Sequence, residues 1–180
     1  MANLLTAIRL LLVVPVTWAF AQPLLLPPAW LMLLLCIAIA TDYFDGKVAR
    51  ATGTESASGM LFDHGTDFVF VTSALTGIAV AGTVHPLLPV LISIAFAQYV
   101  LDSYFLFRQK KLRMSFLGRW NGILYFVPLL VFAASRLEIV DGLADTLRTV
   151  TGFMGVALIF STIASIIDRA VAPLRGLAQK

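Results

Sequence analysis

Charge is scarce in this chain. Only 13% of its 180 residues are Asp, Glu, Lys or Arg, about half the share of a soluble domain. Cysteine is nearly absent. Cys36 stands alone inside an apolar run, so no disulfide can form within the chain, and the residue is expected to pack between helices. Long linkers, low-complexity tracts and internal repeats are missing too, which leaves residues 1–180 as a single domain. No basic patch is interleaved with exposed aromatics. The net charge of +3 and pI near 9.3 therefore do not point to nucleic acid. What is plentiful is hydrocarbon. At 59% hydrophobic residues and a mean hydropathy of +0.91, the chain reads as an integral membrane protein.

A membrane span needs about 20 apolar residues. The pattern predicts six, near Leu4–Phe20, Trp30–Arg50, Ala57–Gly82, Leu87–Phe107, Phe116–Ala134 and Val150–Ile167, with Pro15 as a kink point in the first. That first segment imitates a secretory signal, with Arg9, an apolar run and Ala19-Phe20-Ala21. An even helix count keeps it as a retained helix. With the N-terminus in the cytoplasm, eleven of the 13 Lys and Arg residues fall inside and only Arg136 and Arg148 outside, as the positive-inside rule requires. The expected fold class is an all-α integral membrane protein with six transmembrane helices and both termini cytoplasmic. Trp18, Trp30, Tyr43 and Trp120 lie near helix ends, where interfacial anchors belong.

Against that apolar background, four carboxylates stand out. The second helix carries Asp42 and Asp45 at i, i+3, and the third carries Gly59, Asp63 and Asp67 in steps of four. Each set projects from one helix face. Ionised groups between apolar segments mark functional sites by default. Four like charges brought together repel and raise one another's pKa values unless cations intervene. Hard divalent ions take all-oxygen ligands and pair carboxylates with substrate phosphates. The residues alone thus suggest a binuclear metal site for phosphate chemistry, and the charge bias puts it at the cytoplasmic ends of helices two and three.

The pattern Asp-x2-Asp-Gly-x2-Ala-Arg-x8-Gly-x3-Asp-x3-Asp is filled at all eight positions, by Asp42, Asp45, Gly46, Ala49, Arg50, Gly59, Asp63 and Asp67. It resembles the signature of the CDP-alcohol phosphotransferases, membrane enzymes of phospholipid synthesis. The resemblance implies that an alcohol displaces CMP from CDP-diacylglycerol or a related CDP-linked lipid, with two divalent cations, Mg²⁺ or Mn²⁺, as cofactors. It implies metal ligation by Asp42, Asp45, Asp63 and Asp67, with Asp67 also the catalytic base. Gly46, Ala49, Arg50 and Gly59 would bind the CDP diphosphate. It further implies a homodimer in the bilayer, which would be the inner or plasma membrane if the source is bacterial; the charge bias turns the active site to the cytoplasm.

The acceptor alcohol is less constrained. Size and the opening Asn3-Leu-Leu-Thr6-x2-Arg9 resemble the phosphatidylglycerophosphate synthase branch, whose acceptor is glycerol 3-phosphate. His64 and Phe68 depart from that branch, and Asp63-His64-Gly65-x-Asp67 is more similar to choline and ethanolamine phosphotransferases, which use CDP-amino alcohols as donors and diacylglycerol as acceptor. The cations Arg108, Lys110, Lys111, Arg113 and Arg119, at the cytoplasmic joint of helices four and five, favour a phosphorylated polyol. No tight aromatic group is legible there to cage a choline. His64 is expected to point away from the aspartate face. Asp102 and Gln98 are expected either to support the acceptor or to bond between helices. Cation transport and a non-catalytic role remain the alternatives from other classes, since buried carboxylates serve both.

Overall fold

The computed structural model describes residues 2–52, 57–102, 116–137, 139 and 141–177, with the side chains of 2–5, 45–52, 57–58, 60 and 172–177 outside that description. Every regular element in it is helical: α1 (Ala2–Ala21), α2 (Pro28–Thr52), α3 (Ala57–Val80), α4 (Leu87–Leu101), α5 (Phe116–Leu124), α6 (Phe126–Ser135) and α7 (Leu143–Leu177). α5 and α6 abut at Tyr125 and together form the apolar stretch expected as one span.

Among the described residues, two helical units are long and apolar enough to cross a membrane, Phe116–Ser135 and Leu143–Val171, with shorter apolar helices at Thr6–Ala21, Pro28–Phe44 and Leu87–Leu101. α1 runs unbroken through Pro15. The sixth expected span begins too late: α7 starts at Leu143, so Asp145 and Arg148 sit on its first turns, 3.7 Å apart, rather than in a loop. Thr146 and Thr149 bond back to Gly142 and Asp145 carbonyls, which satisfies polar groups locally and lets the helix extend.

Helix α3 is central. It packs against α1 most extensively, and also against α4 and α6. Small residues allow the close approach. A Cβ on Gly77 would lie 2.5 Å from the Thr17 carbonyl oxygen of α1, so only glycine fits that crossing. α3 ends at Gly82, whose φ of 80° suits a helix C-terminus, with Thr83 N–H donating to Ile78 O at 3.2 Å. Phe20, Leu31, Leu35, Phe70, Leu75 and Leu129 fill the core between the helices.

The outer face is more apolar than parts of the interior. On α7, Phe153, Val156, Phe160 and Ile167 point outward while Thr151, Thr162 and Ser165 are buried. Water would not favour that distribution, whereas hydrocarbon would. Trp18, Trp30, Tyr43 and Trp120 are all exposed, in line with anchoring. Cys36 is a correction: it is exposed rather than packed, because Leu35 and Ala38 take the inward face of α2.

Candidate active site

Asp42 of α2 and Asp63 and Asp67 of α3 meet, each offering a carboxylate oxygen within 4.8 Å of the others. The predicted helix faces explain the meeting, since Asp63 and Asp67 are one turn apart and Asp42 approaches from the neighbouring helix. Asp45, Gly46, Ala49 and Arg50 lie further along α2, where side chains are outside the described residues. Gly59 is on α3, one turn before Asp63. The cluster fits a hard cation by its donors: all are carboxylate oxygens, at mutual distances one ion can bridge, and the carboxylates are 27–39% exposed.

A fourth participant comes from α1. Arg9 is fully buried, with Nη2 3.0 Å from Asp42 Oδ1 and Nη1 3.4 Å from Asp63 Oδ1. Nη1 also donates to Asp67 Oδ1. Sequence reasoning counted Arg9 only as a cytoplasmic topology marker, and the structure adds that it meets the carboxylates. The missed signal is a lone cation in an apolar helix, which needs a counter-charge as much as a lone carboxylate does.

The cluster opens on a cavity of about 450 Å³ among α2–α7. Its wall is mostly apolar, with Val71, Ile92, Phe126 and a stacked pair, Phe68 and Phe96, 4.2 Å apart. Asp42, Asp67, Arg119, Asn121 and Arg169 supply its polar groups. His64 also lines it, with Nδ1 3.3 Å from the Tyr99 hydroxyl. It is absent from the carboxylate cluster, as expected, but it does not leave the site. Phe68, Phe96 and Tyr99 form an aromatic group that linear spacing concealed, because α3 and α4 contribute it jointly.

Across the cavity, Asp102 Oδ2 pairs with Arg169 at 4.0 Å, and the Arg169 guanidinium lies 5.1 Å from the centre of the Tyr99 ring. Gln98 Nε2 donates to the Ile166 carbonyl at 3.3 Å. These contacts favour interhelical bonding for both α4 residues. Buried Asn121 accepts a 2.6 Å bond from Ser161 Oγ. Arg119 lines the cavity, while Arg108, Lys110, Lys111 and Arg113 lie outside the described residues.

Fold and site together define an all-helical protein with a carboxylate centre at an apolar cavity. The chain belongs to the CDP-alcohol phosphatidyltransferase family, whose sequence profile matches residues 1–167. Over 88 residues it is 39% identical to a CDP-diacylglycerol–serine O-phosphatidyltransferase of Encephalitozoon cuniculi, covering 45% of this chain and 22% of that protein. Over 79 residues it is 33% identical to a cardiolipin synthase (CMP-forming) of Streptomyces coelicolor, covering 42% of this chain and 37% of that one. The chain thus spans well under half the length of either relative. No solved structure matches it.

Proposed function

We propose that this protein is a membrane-embedded enzyme of phospholipid synthesis that transfers a phosphatidyl group from CDP-diacylglycerol to an alcohol, releasing CMP. The observation carrying this is the convergence of Asp42, Asp63 and Asp67 at the cavity, in a family member with all eight motif positions filled. The acceptor oxygen forms a bond to the phosphorus that bears diacylglycerol, and the bond from that phosphorus to the CMP oxygen breaks. The hydroxyl proton passes to Asp67, which faces the cavity. Asp42, Asp45, Asp63 and Asp67 would hold two divalent ions, Mg²⁺ or Mn²⁺. When bound, these neutralise the diphosphate and the developing charge on the attacking and leaving oxygens. Arg50, with Gly46, Ala49 and Gly59, receives the CDP diphosphate. Arginine's fork suits phosphate, and the missing Cβ atoms of Gly46 and Gly59 let the nucleotide approach.

Six spans with both termini and the site on the cytoplasmic side complete the reading. Outward apolar residues and the lopsided distribution of basic residues support it. The homodimer implied by the family resemblance is part of the same reading.

For the acceptor, a phosphorylated polyol such as glycerol 3-phosphate is favoured by Arg119 in the cavity wall and by the run of cations that precedes it in the sequence, Arg108, Lys110, Lys111 and Arg113. A second reading, transfer from a CDP-amino alcohol to diacylglycerol, is favoured by the apolar wall around Phe68, Phe96 and Phe126. CMP release from CDP-diacylglycerol with glycerol 3-phosphate, and from CDP-choline or CDP-ethanolamine with diacylglycerol, each with and without Mg²⁺ or Mn²⁺, tests the proposal. Metal-dependent release from CDP-diacylglycerol with glycerol 3-phosphate is expected. Release from the CDP-amino alcohols alone would select the second reading, and no release from any pair would refute the enzyme assignment.

A further inference from the structure

We propose that Arg9 is a positioning residue of the metal centre, holding Asp42, Asp63 and Asp67 from their buried side so that the cluster keeps a metal-ready arrangement toward the cavity. This rests on the metal reading above.

The geometry is one-sided. Arg9 is 0% exposed, while the three carboxylates are 39%, 29% and 27% exposed. The guanidinium therefore lies behind the cluster, and the cavity lies in front of Asp42 and Asp67. Each contact uses one oxygen, Oδ1, of its carboxylate. A planar fork with donors on two sides can span carboxylates from different helices, whereas a lysine ammonium is a single point. Three carboxylates this close repel without a nearby cation, so the fork offsets charge and fixes direction together.

The chain accepts a penalty for this placement. Arg9 Nε is buried without a hydrogen-bond partner, and Nη2 meets Asp42 as an ion pair rather than a hydrogen bond, so the guanidinium's donors are left incompletely satisfied. The position of α1 is also fixed independently of the cluster. Gly77 of α3 lets α1 pack closely around Thr17 and Phe20, two to three turns further along the helix that carries Arg9. The guanidinium is thus delivered by a rigid element rather than a loop.

Two rival roles make different predictions. A guanidinium that competes with ions would weaken metal binding, so its loss would tighten it. A guanidinium that only pins the bundle would affect stability equally with and without metal. Arg9→Lys separates the three because it keeps the charge and removes the fork. The test uses the full chain in lipid nanodiscs, Mn²⁺ titration read by electron paramagnetic resonance, and thermal unfolding with and without Mn²⁺. Positioning predicts that R9K unfolds within a few degrees of wild type without metal, binds Mn²⁺ about tenfold more weakly, shows an altered Mn²⁺ spectrum and gains less stability from the ion. Unchanged or tighter Mn²⁺ binding in R9K overturns the proposal, as does failure of R9K to fold, which would make Arg9 a pin. D63N serves as the ligand-loss control. If wild type binds Mn²⁺ no better than D63N, the metal reading itself falls and this proposal with it. If wild type binds and R9K matches it, only the proposal falls.

Discussion

Among the described residues two arginines are buried, and they meet different partners. Arg136, at the C-terminal end of α6, donates to the main-chain carbonyls of Ala19 and, at 2.6 Å, Phe20, closing the last turn of α1. Its guanidinium also lies 4.9 Å from the centre of the Phe132 ring. Arg9, near the other end of α1, meets three carboxylates. A cation on helix C-terminal carbonyls satisfies orphan acceptors and complements the helix dipole. Main-chain carbonyls at a helix end neither titrate nor react, so the contact is architectural. Carboxylates beside a cavity can exchange partners with ions and substrates. Burial alone does not reveal what an arginine does; the chemistry of its acceptors does.

The comparison breaks most visibly at the carboxylates. Asp42→Asn and Asp63→Asn should each lower CMP release by about 10³-fold while leaving a folded protein, as judged by a monodisperse elution profile. Activity near wild type in either variant would remove the cluster from the chemistry.

Arg136→Ala should do the reverse. Losing two charge-assisted bonds to buried carbonyls should destabilise the bundle by about 3 kcal/mol, measured by thermal unfolding in lipid. Turnover of the protein that remains folded should be unchanged. A fall in turnover with unaltered stability would show that the two ends of α1 are not separable.

Arg119→Ala sharpens the cavity side with a smaller effect. The acceptor KM should rise about tenfold while the donor KM stays within error, since only acceptor binding loses a cation. An equal rise in both would move Arg119 to the diphosphate.

Much of this was legible in the sequence, for identifiable reasons. Asp42, Asp63 and Asp67 were found because helical periodicity puts residues three or four apart on one face, and charges in hydrocarbon are conspicuous. Helix bounds followed from apolar runs broken by proline and glycine, and the α1, α2 and α3 expectations fall within two residues of the observed ends. What depends on neighbouring helices was not legible. Arg9 lies more than thirty residues from Asp42, and nothing local says which face of α1 meets α3. The pairing of Phe68 with Phe96 arises between α3 and α4, and the Asp102–Arg169 pair between the end of α4 and α7. The early start of α7 was missed because Asp145 and Arg148 read as loop residues until their i, i+3 pairing on a helix is seen.

The most direct measurement couples metal binding to chemistry at Asp67. In the proposed reaction Asp67 is both a metal ligand and the base, and among the described residues Asp42 and Asp63 are the carboxylates clustered with it. Asp67→Asn, titrated with Mn²⁺ and assayed for CMP release from CDP-diacylglycerol, should retain more Mn²⁺ binding than D42N or D63N and yet release no CMP above background. Release at the wild-type rate by D67N, or release by wild type that persists after divalent ions are chelated, would contradict a carboxylate metal centre as the seat of the reaction.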